Sequence, residues 1–320
     1  MKTKLMLIAL FLLIVAFAAG SFRTSSAAEG GLTHYLPGAL STIIDLPPTV
    51  PGWVVETAYL HYDGEASGSR TIPTAGVLAG GLEATSDAVL LGGLYTFAQQ
   101  VLGAHYSIGG FLPYVWVDAE ASVTGPLGNT IRRKDSASGL GDVTLLPAML
   151  AWKSDSWQYN ALLMIFAPTG DYEQGKLANP GYNYWTFDPT VGVSYNNAKT
   201  GFNAALHAGF SFNTENSDTD YQSGTAFHLE ASAQQLLPLG SGFAGIGVEG
   251  FMIEQVSGDS GSGARLGDFK SSTAGLGPVL TYLLPGESQN FVAELRWLAE
   301  LDTDKRLKGD YVWLKLVWQF

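Results

Sequence analysis

The chain has 320 residues, no cysteine and a formal net charge of −12. The lack of cysteine excludes disulfides, thiol chemistry and cysteine metal ligands. The acidic balance argues against a nucleic-acid partner. The 39 glycines and the 12% of aromatic residues favour strands over helices.

Residues 1–28 have the pattern of an export signal. Two lysines precede an apolar run over residues 5–19, and Ser26-Ala27-Ala28 is a small-residue cleavage site, so the mature chain is expected to begin near Glu29. The apolar run is shorter than the roughly 20 residues of a membrane span, and an uncleaved anchor is the alternative. No later apolar run is long enough to predict a membrane-spanning helix.

Residues 29–52 contain too many prolines and glycines for a strand or a long helix, and too many aliphatic residues for a free tail. If the strands that follow form a barrel, this segment is predicted to fold into its periplasmic side as a partial plug. His34, Tyr35 and Pro37 are the candidate plug residues. A strap along the periplasmic rim is the alternative.

Hydrophobic alternation with a period of two recurs through residues 53–320 and is typical of strands. It predicts an all-β fold, a transmembrane antiparallel β-barrel of about twelve strands, an even number as in bacterial single-chain barrels. The strands are expected at 53–63, 87–98, 103–120, 139–153, 156–167, 185–197, 201–213, 222–236, 242–256, 270–284, 289–302 and 310–320.

The connections between these strands alternate in length. The long connections are predicted at 64–86, 121–138, 168–184, 214–221, 257–269 and 303–309. Because transmembrane barrels have short periplasmic turns and longer outer loops, the long connections are placed outside and both chain ends inside. A soluble β-sandwich, the alternative, has no reason to sort its loops by side.

The last strand separates apolar from polar side chains most clearly. Its apolar face carries Val312, Leu314, Leu316, Trp318 and Phe320, and it resembles the final strand of a bacterial outer-membrane barrel. Apolar faces must meet lipid, because a charge at the bilayer midplane costs roughly 2–4 kcal/mol. The expected partners are membrane lipid, lipopolysaccharide and, through the C-terminal Phe320, the outer-membrane barrel-assembly machinery.

The opposite strand faces place charged side chains in the lumen. The candidates for a substrate path are Glu56, His105, Asp142, Asp188, His207, His228, Glu230, Glu249, Glu294, Arg296, Glu300 and Lys315. The excess of carboxylates would repel anions and favour neutral or cationic solutes, whereas charges that only crosslink the wall are the alternative. The histidines lie on separate strands without ligand spacing, so neither a metal nor a cofactor is predicted.

Pro168 and Pro189 flank one long loop. Proline removes a strand donor and belongs at an edge, an end or a bulge. One hypothesis is a gap in the wall there, through which an apolar solute would leave sideways into lipid. The alternative is that these prolines simply end strands.

Several motifs resemble one family. They are Glu29-Gly30-Gly31-Leu32-Thr33-His34-Tyr35-Leu36-Pro37-Gly38, Gly139-Leu140-Gly141-Asp142, Phe166-Ala167-Pro168-Thr169-Gly170-Asp171 and Asn183-Tyr184-Trp185-Thr186-Phe187-Asp188-Pro189. Their order over residues 29–320 resembles the outer-membrane proteins of the phenol-degradation meta-pathway family, which includes transporters. The resemblance implies a barrel encoded beside pathways that consume aromatic or other hydrophobic compounds, and a role in their uptake.

Three functions remain open from the sequence. The first is a channel for passive, selective uptake of small hydrophobic or aromatic compounds, since about twelve strands give a bore between filled and open barrels. The second is a structural or adhesive barrel without transport. The third is a barrel enzyme such as a lipase, but His207 and Ser211 lie roughly 13 Å apart along one strand and no Gly-x-Ser-x-Gly motif occurs, so no enzyme is predicted.

Overall fold

A computed structural model of the chain describes residues 33–66, 71–124, 130–267, 269–286 and 289–320. The predicted export signal over residues 1–28 and the first residues of the predicted plug, 29–32, lie outside these ranges. No helix among the described residues has the length and apolar character needed to cross a membrane.

Strands dominate the described ranges. They are β1 (Gly52–Glu65), β2 (Thr71–Thr74), β3 (Val77–Val101), β4 (Ala104–Thr124), β5 (Thr130–Leu140), β6 (Val143–Ser154), β7 (Trp157–Ala167), β8 (Thr186–Asn197), β9 (Phe202–Asn213), β10 (Ala226–Leu239), β11 (Gly242–Gln255), β12 (Ser272–Pro285), β13 (Asn290–Asp304) and β14 (Lys308–Gln319).

Twelve of these strands close into an antiparallel ring. Going round from β1, the order is β3, β4, β6, then β7 to β14 in sequence, and β14 pairs with β1 to complete the circle. The closing ladder runs from Val54 opposite Gln319 to Glu65 opposite Lys308. The predicted barrel of about twelve strands is confirmed, and closure leaves the ring without an unpaired edge strand, as lipid requires.

β2 and β5 extend the wall on the side of the long connections. β2 pairs with the start of β3, and β5 pairs with the end of β4. The prediction of loops at 64–86 and 121–138 was therefore wrong over most of their length. β5 was missed because it has no apolar stripe, and β2 because it has four residues and a proline. The predicted long connection at 303–309 shrinks to residues 305–307.

The two faces of the ring differ as expected for a membrane barrel. In β14, Leu314 and Trp318 are exposed on the outside, whereas Trp313, Lys315 and Val317 are buried on the inside. The outer belt continues round the ring through Val55, Leu91, Leu112, Leu145, Phe187, Phe212, Ile246, Val248, Leu276, Leu280, Leu295 and Trp297. Apolar side chains on this belt face hydrocarbon at no desolvation cost.

Residues 33–51, the inner segment, lie inside the ring. The segment forms no strand or helix, so its peptide groups bond to side chains of the wall instead. The Trp313 indole of β14 donates to the Pro37 carbonyl at 2.8 Å, and Gln158 of β7 donates to the Pro47 carbonyl at 2.9 Å. These contacts with well-separated strands place the inner segment across the lumen.

Candidate functional site

Arg296 of β13 is the centre of a buried charge cluster between the wall and the inner segment. Its guanidinium bonds Glu294 at 2.6 Å, pairs with Glu249 at 3.3 Å and bonds the side chain of Asp45 from the inner segment. It also donates to the Gly38 carbonyl at 2.6 Å. A buried charge is tolerated only when it is paired and hydrogen-bonded, and this cluster satisfies that condition for the arginine.

Further wall charges hold the backbone of the same segment. Glu230 of β10 accepts the Gly38 amide at 2.8 Å and the Leu40 amide at 3.0 Å. Lys315 of β14 donates to Asp45 at 2.6 Å and to the Gly38 carbonyl at 2.8 Å. Burial raises the pKa of Asp45, but the two cations outweigh burial and hold it below its ordinary value.

A second polar group joins Asp188, His228 and Ser211. Nε2 of His228 lies 3.0 Å from Asp188, and the Ser211 hydroxyl donates to Asp188 at 2.5 Å. The carboxylate therefore stands between the histidine and the serine, whereas nucleophile activation needs the histidine in the middle. The ring of Tyr35 from the inner segment stacks on His228 with centroids 3.5 Å apart.

His34 anchors the beginning of the inner segment in an aromatic pocket. Its ring stacks on Phe166 at 5.1 Å and meets the edges of Tyr182 and Tyr184 at 4.7 and 4.9 Å. Nε2 lies 2.9 Å from Asp142, which also accepts the Tyr182 amide at 2.7 Å. Burial raises the pKa of Asp142, but these hydrogen bonds outweigh it and keep the carboxyl below its ordinary pKa.

Glu300 forms a third polar group near the outer end of β13. It accepts the Thr273 hydroxyl at 3.1 Å, the Tyr62 hydroxyl at 3.2 Å and the Gly309 amide at 2.8 Å. The buried Arg306 guanidinium lies 3.5 Å from the carboxylate. These contacts tie β1, β12, β13 and β14 together on the inner side of the wall.

An apolar cavity of about 420 Å³ occupies the other side of the lumen. Its wall comes mainly from β1, β3, β4, β6 and β7, with Val54, Ala58, Leu60, Leu82, Ala88, Leu90, Leu94, Phe111, Val115, Leu146, Met149, Leu162, Met164 and Phe166. The inner segment adds Leu36, Leu40, Ile43, Ile44 and Leu46. This segment thus turns its peptide groups to the charged wall and its aliphatic side chains to the cavity.

The cavity reaches from one end of the barrel to the other. Tyr172, Leu177 and Asn179 of the β7–β8 connection border it on the side of the long loops. Asn290 and Gln319 border it near the opposite rim, where the short turns and the C-terminus lie. The cavity therefore lies along the barrel wall beside the inner segment and is bordered by residues from both ends of the barrel.

The predicted lumen residues divide between the cavity and the charged side. Glu56, Asp142 and Lys315 border the cavity, and so do His34 and Tyr35. The other candidates do not border the cavity: His105, Asp188, His207, His228, Glu230, Glu249, Glu294, Arg296 and Glu300. His105 is half-buried, and the other eight are buried. Pro37 touches β14 through its carbonyl. The described ranges contain no group of three or more His, Asp or Glu side chains placed to hold a metal.

Asp45 is the site residue that the sequence-based predictions missed. It receives bonds from both Arg296 and Lys315, with a side chain that is 3% exposed. A signal was present, because Asp45 is a single carboxylate inside an aliphatic stretch of a segment predicted to enter the lumen. Its partners lie more than 250 residues away, and that distance hid the pairing.

The strand pairing of the wall changes partner at β4. The first half of β4 pairs with β6 and the second half with β5, whose other edge pairs with no strand among the described residues. The β7–β8 connection, residues 168–185, covers that edge. The Asp171 amide donates to the Leu140 carbonyl at 2.8 Å, and the Leu177 amide to the Asp135 carboxylate at 2.8 Å.

The backbone of the β7–β8 connection packs closely against the wall and closes this break. A Cβ atom at Gly170 would lie 2.8 Å from both the Gly141 carbonyl carbon and Gly181 Cα. Pro168 begins the covering connection. Pro189 instead lies within β8, opposite Leu163 of β7, and the ladder to β9 keeps one register on either side of it. The break in pairing is therefore near Pro168 and away from Pro189.

A closed antiparallel ring of this size, with an apolar outer belt and a polar interior, defines an outer-membrane type of transmembrane β-barrel. The chain belongs to the family described as "Putative MetA-pathway of phenol degradation", whose sequence model matches residues 64–316. The family resemblance predicted from the motifs is confirmed.

Several solved structures are similar to the chain. The COG4313 outer membrane channel from Pseudomonas putida F1 matches with a TM-score of 0.62 and 18% identity, over 90% of this chain and 100% of that chain. The β domain of the Bordetella autotransporter BrkA gives 0.49 and 12%, over 85% and 99%. A Pseudomonas aeruginosa FadL homologue gives 0.38 and 8%, over 93% and 98%. No curated protein sequence matches the chain.

Proposed function

We propose that this barrel is an outer-membrane channel for the passive, selective uptake of small hydrophobic or aromatic compounds. The observation that carries the proposal is the apolar cavity, which extends from the long-loop side to the opposite rim. The free energy of an apolar solute falls when the solute moves from water to such a wall. Membership of a family described by phenol degradation and the fold of a known outer membrane channel support the same role.

The inner segment acts in this proposal as a plug that narrows the lumen. Its peptide groups and Asp45 are held by Glu230, Arg296 and Lys315, so these charges serve as its scaffold rather than as a path for ions. The space that remains beside this segment is lined mainly by aliphatic side chains, which do not replace the hydration of an ion. The selectivity would therefore come from the apolar walls.

The break beside β5 is the proposed sideways exit into lipid. Residues of the covering connection, including Tyr172, Leu177 and Tyr182, border the cavity as well as this break. Movement of residues 168–185 would join the cavity to the membrane, with Pro168 at the start of the moving part. Of the two candidates for a lateral gap, Pro168 lies beside this break, whereas Pro189 lies where the strands remain paired.

Uptake of labelled aromatic and aliphatic compounds by cells with and without the gene tests the proposal. We expect faster initial uptake with the gene, and loss of that gain in Ala88→Trp, which fills the cavity. Ala231→Trp on the exposed outer face of β10 is the matched control and should transport normally. Equal uptake with and without the gene across the whole panel would overturn the proposal.

A further inference from the structure

Glu56 of β1 lies in the cavity wall between apolar neighbours, and Lys315 of β14 is the charged group that acts on it most strongly. Its neighbours on the same face along the strand are Val54 and Ala58, both buried. Its direct cross-strand neighbours are Val317 of β14 and Gly92 of β3. Glu56 itself is half-buried and borders the cavity.

The other charged or imidazole side chains that border the cavity are already engaged. Among the described residues these are His34, Asp45, Asp142 and Lys315. His34 and Asp142 bond each other at 2.9 Å. The three ammonium protons of Lys315 have three acceptors, namely Asp45 and the carbonyls of Gly38 and Ala39. Lys315 therefore has no proton left for Glu56.

Glu56 has no hydrogen-bond or ion-pair partner within the described ranges, although its side chain is in contact with the cavity. An unpaired carboxyl group in an apolar wall costs free energy unless water or a ligand bonds to it. A leucine or valine at this position would complete the apolar lining.

The strand that pairs with β1 at Glu56 carries an aromatic contact. A Cβ atom at Gly92, directly opposite Glu56, would overlap the ring of Phe111 from β4. The absence of a side chain at Gly92 therefore leaves room for the Phe111 ring on the strand beside Glu56, and Phe111 also borders the cavity. An aromatic ring offers dispersion contact and ring stacking to a planar solute.

We propose that Glu56 accepts a hydrogen bond from the single O–H or N–H group of a neutral, otherwise apolar solute whose ring packs against Phe111. The inference rests on the proposed channel function and names the solutes that such a channel selects. The solute donates, the Glu56 carboxyl oxygen accepts, and no proton leaves the solute. A solute with its own carboxylate is disfavoured, because it would bring like charges together beside Glu56 and Asp45.

The test compares initial uptake, below saturation, of 4-methylphenol and its methyl ether 4-methylanisole, with benzoate as the anion. Cells lacking the gene carry either no barrel, the wild-type barrel, Glu56→Leu, Glu56→Gln or Glu65→Gln. Glu65 lies on the same strand but is exposed and away from the cavity, so it is the matched control. Barrel levels and heat-shifted gel mobility verify that each variant is assembled.

We expect the wild-type barrel and Glu65→Gln to carry 4-methylphenol about tenfold faster than 4-methylanisole, the effect of one hydrogen bond to a carboxylate. Glu56→Leu should lower the uptake rate of 4-methylphenol to that of 4-methylanisole, whose own rate should not change. Glu56→Gln should give an intermediate ratio of the two rates, because its amide oxygen still accepts a hydrogen bond. Equal rates in the wild type, or an unchanged ratio in Glu56→Leu, would overturn the role of Glu56 and leave the channel intact. No gain over cells without the barrel for any solute would remove both proposals.

Discussion

The Nη1 atom of Arg296 donates a 2.6 Å hydrogen bond to the carbonyl oxygen of Gly38, a residue 258 positions earlier in the chain. The same guanidinium bonds the Thr42 hydroxyl at 2.5 Å and the side chain of Asp45. A planar group with five donors can hold several points of an irregular segment at once. One wall residue thereby fixes the position of the inner segment across the lumen.

Arg296→Leu is expected to release the inner segment from the wall. The change leaves Glu249, Glu294 and Asp45 without their shared cation, and breaking one side of a buried ion pair costs about 3–5 kcal/mol. Protease cleavage within residues 33–51, mapped by mass spectrometry on the protein in micelles, should rise strongly. The ring itself should persist, with heat-shifted gel mobility retained.

Arg132→Leu is the matched control, because Arg132 pairs with Glu120 at the surface with its side chain 72% exposed. Exposed pairs contribute about 0–1 kcal/mol, so this variant should resist protease like the wild type. Equal protection of residues 33–51 in Arg296→Leu would show that the segment is held by its apolar contacts alone.

His34→Ala is expected to loosen the connection 168–185 together with the start of the inner segment. The imidazole bonds Asp142 and packs against Tyr182, so its removal empties an aromatic pocket and leaves a buried carboxylate with fewer donors. Hydrogen exchange in residues 168–185 should become faster. His61→Ala removes an equivalent pair with Asp87 that is 37% and 38% exposed, and it should change nothing there.

Low pH is expected to release the inner segment from the wall, because protonation of Asp45 removes its charge. Its pKa is lowered in the folded protein, so its contribution to docking is complete above the ordinary value of 3.8 and is lost as the pH falls through the folded value. Pepsin, which is active in acid, should therefore cleave residues 33–51 only below about pH 3.8. Asp45→Asn should remove this acid-dependent step, and an unaltered profile in this variant would argue against Asp45 as the group that titrates.

The ring was predictable from the sequence because its cause is local. A strand facing lipid must be apolar at every second residue, and this rule located all twelve strands of the ring, including β14 with Leu314 and Trp318 outside. The same parity placed Glu56, Glu230 and Arg296 on the inner face. β5 gives no such signal, since its exposed positions include Arg132, Lys134 and Ser136 and form no apolar stripe.

The division of the lumen into an apolar cavity and a charged side was not predictable from the sequence, because it depends on contacts between distant parts of the chain. The alternation of side chains along a strand places both Glu56 and Glu230 on the inner face. Glu230 accepts hydrogen bonds from two amides of the inner segment, whereas Glu56 faces the cavity. Which residue is covered depends on the path of residues 33–51, and that path contains no strand or helix. The pairing of His34 with Asp142 spans 108 residues and leaves no periodic signal.

Gly170→Ala is expected to open the break beside β5. The added methyl group would lie 2.8 Å from backbone atoms of both Gly141 and Gly181, so the connection 168–185 must move away from the wall. Overpacking of this kind costs about 1–3 kcal/mol, and the displaced connection would join the cavity to the membrane. A hydrophobic dye that fluoresces in lipid should then enter the membrane of cells faster than with the wild-type barrel. Gly250→Ala in β11 is the matched control, because no atom lies within 3.6 Å of its added methyl group. If both alanine variants admit the dye at the wild-type rate, residues 168–185 do not gate a sideways exit.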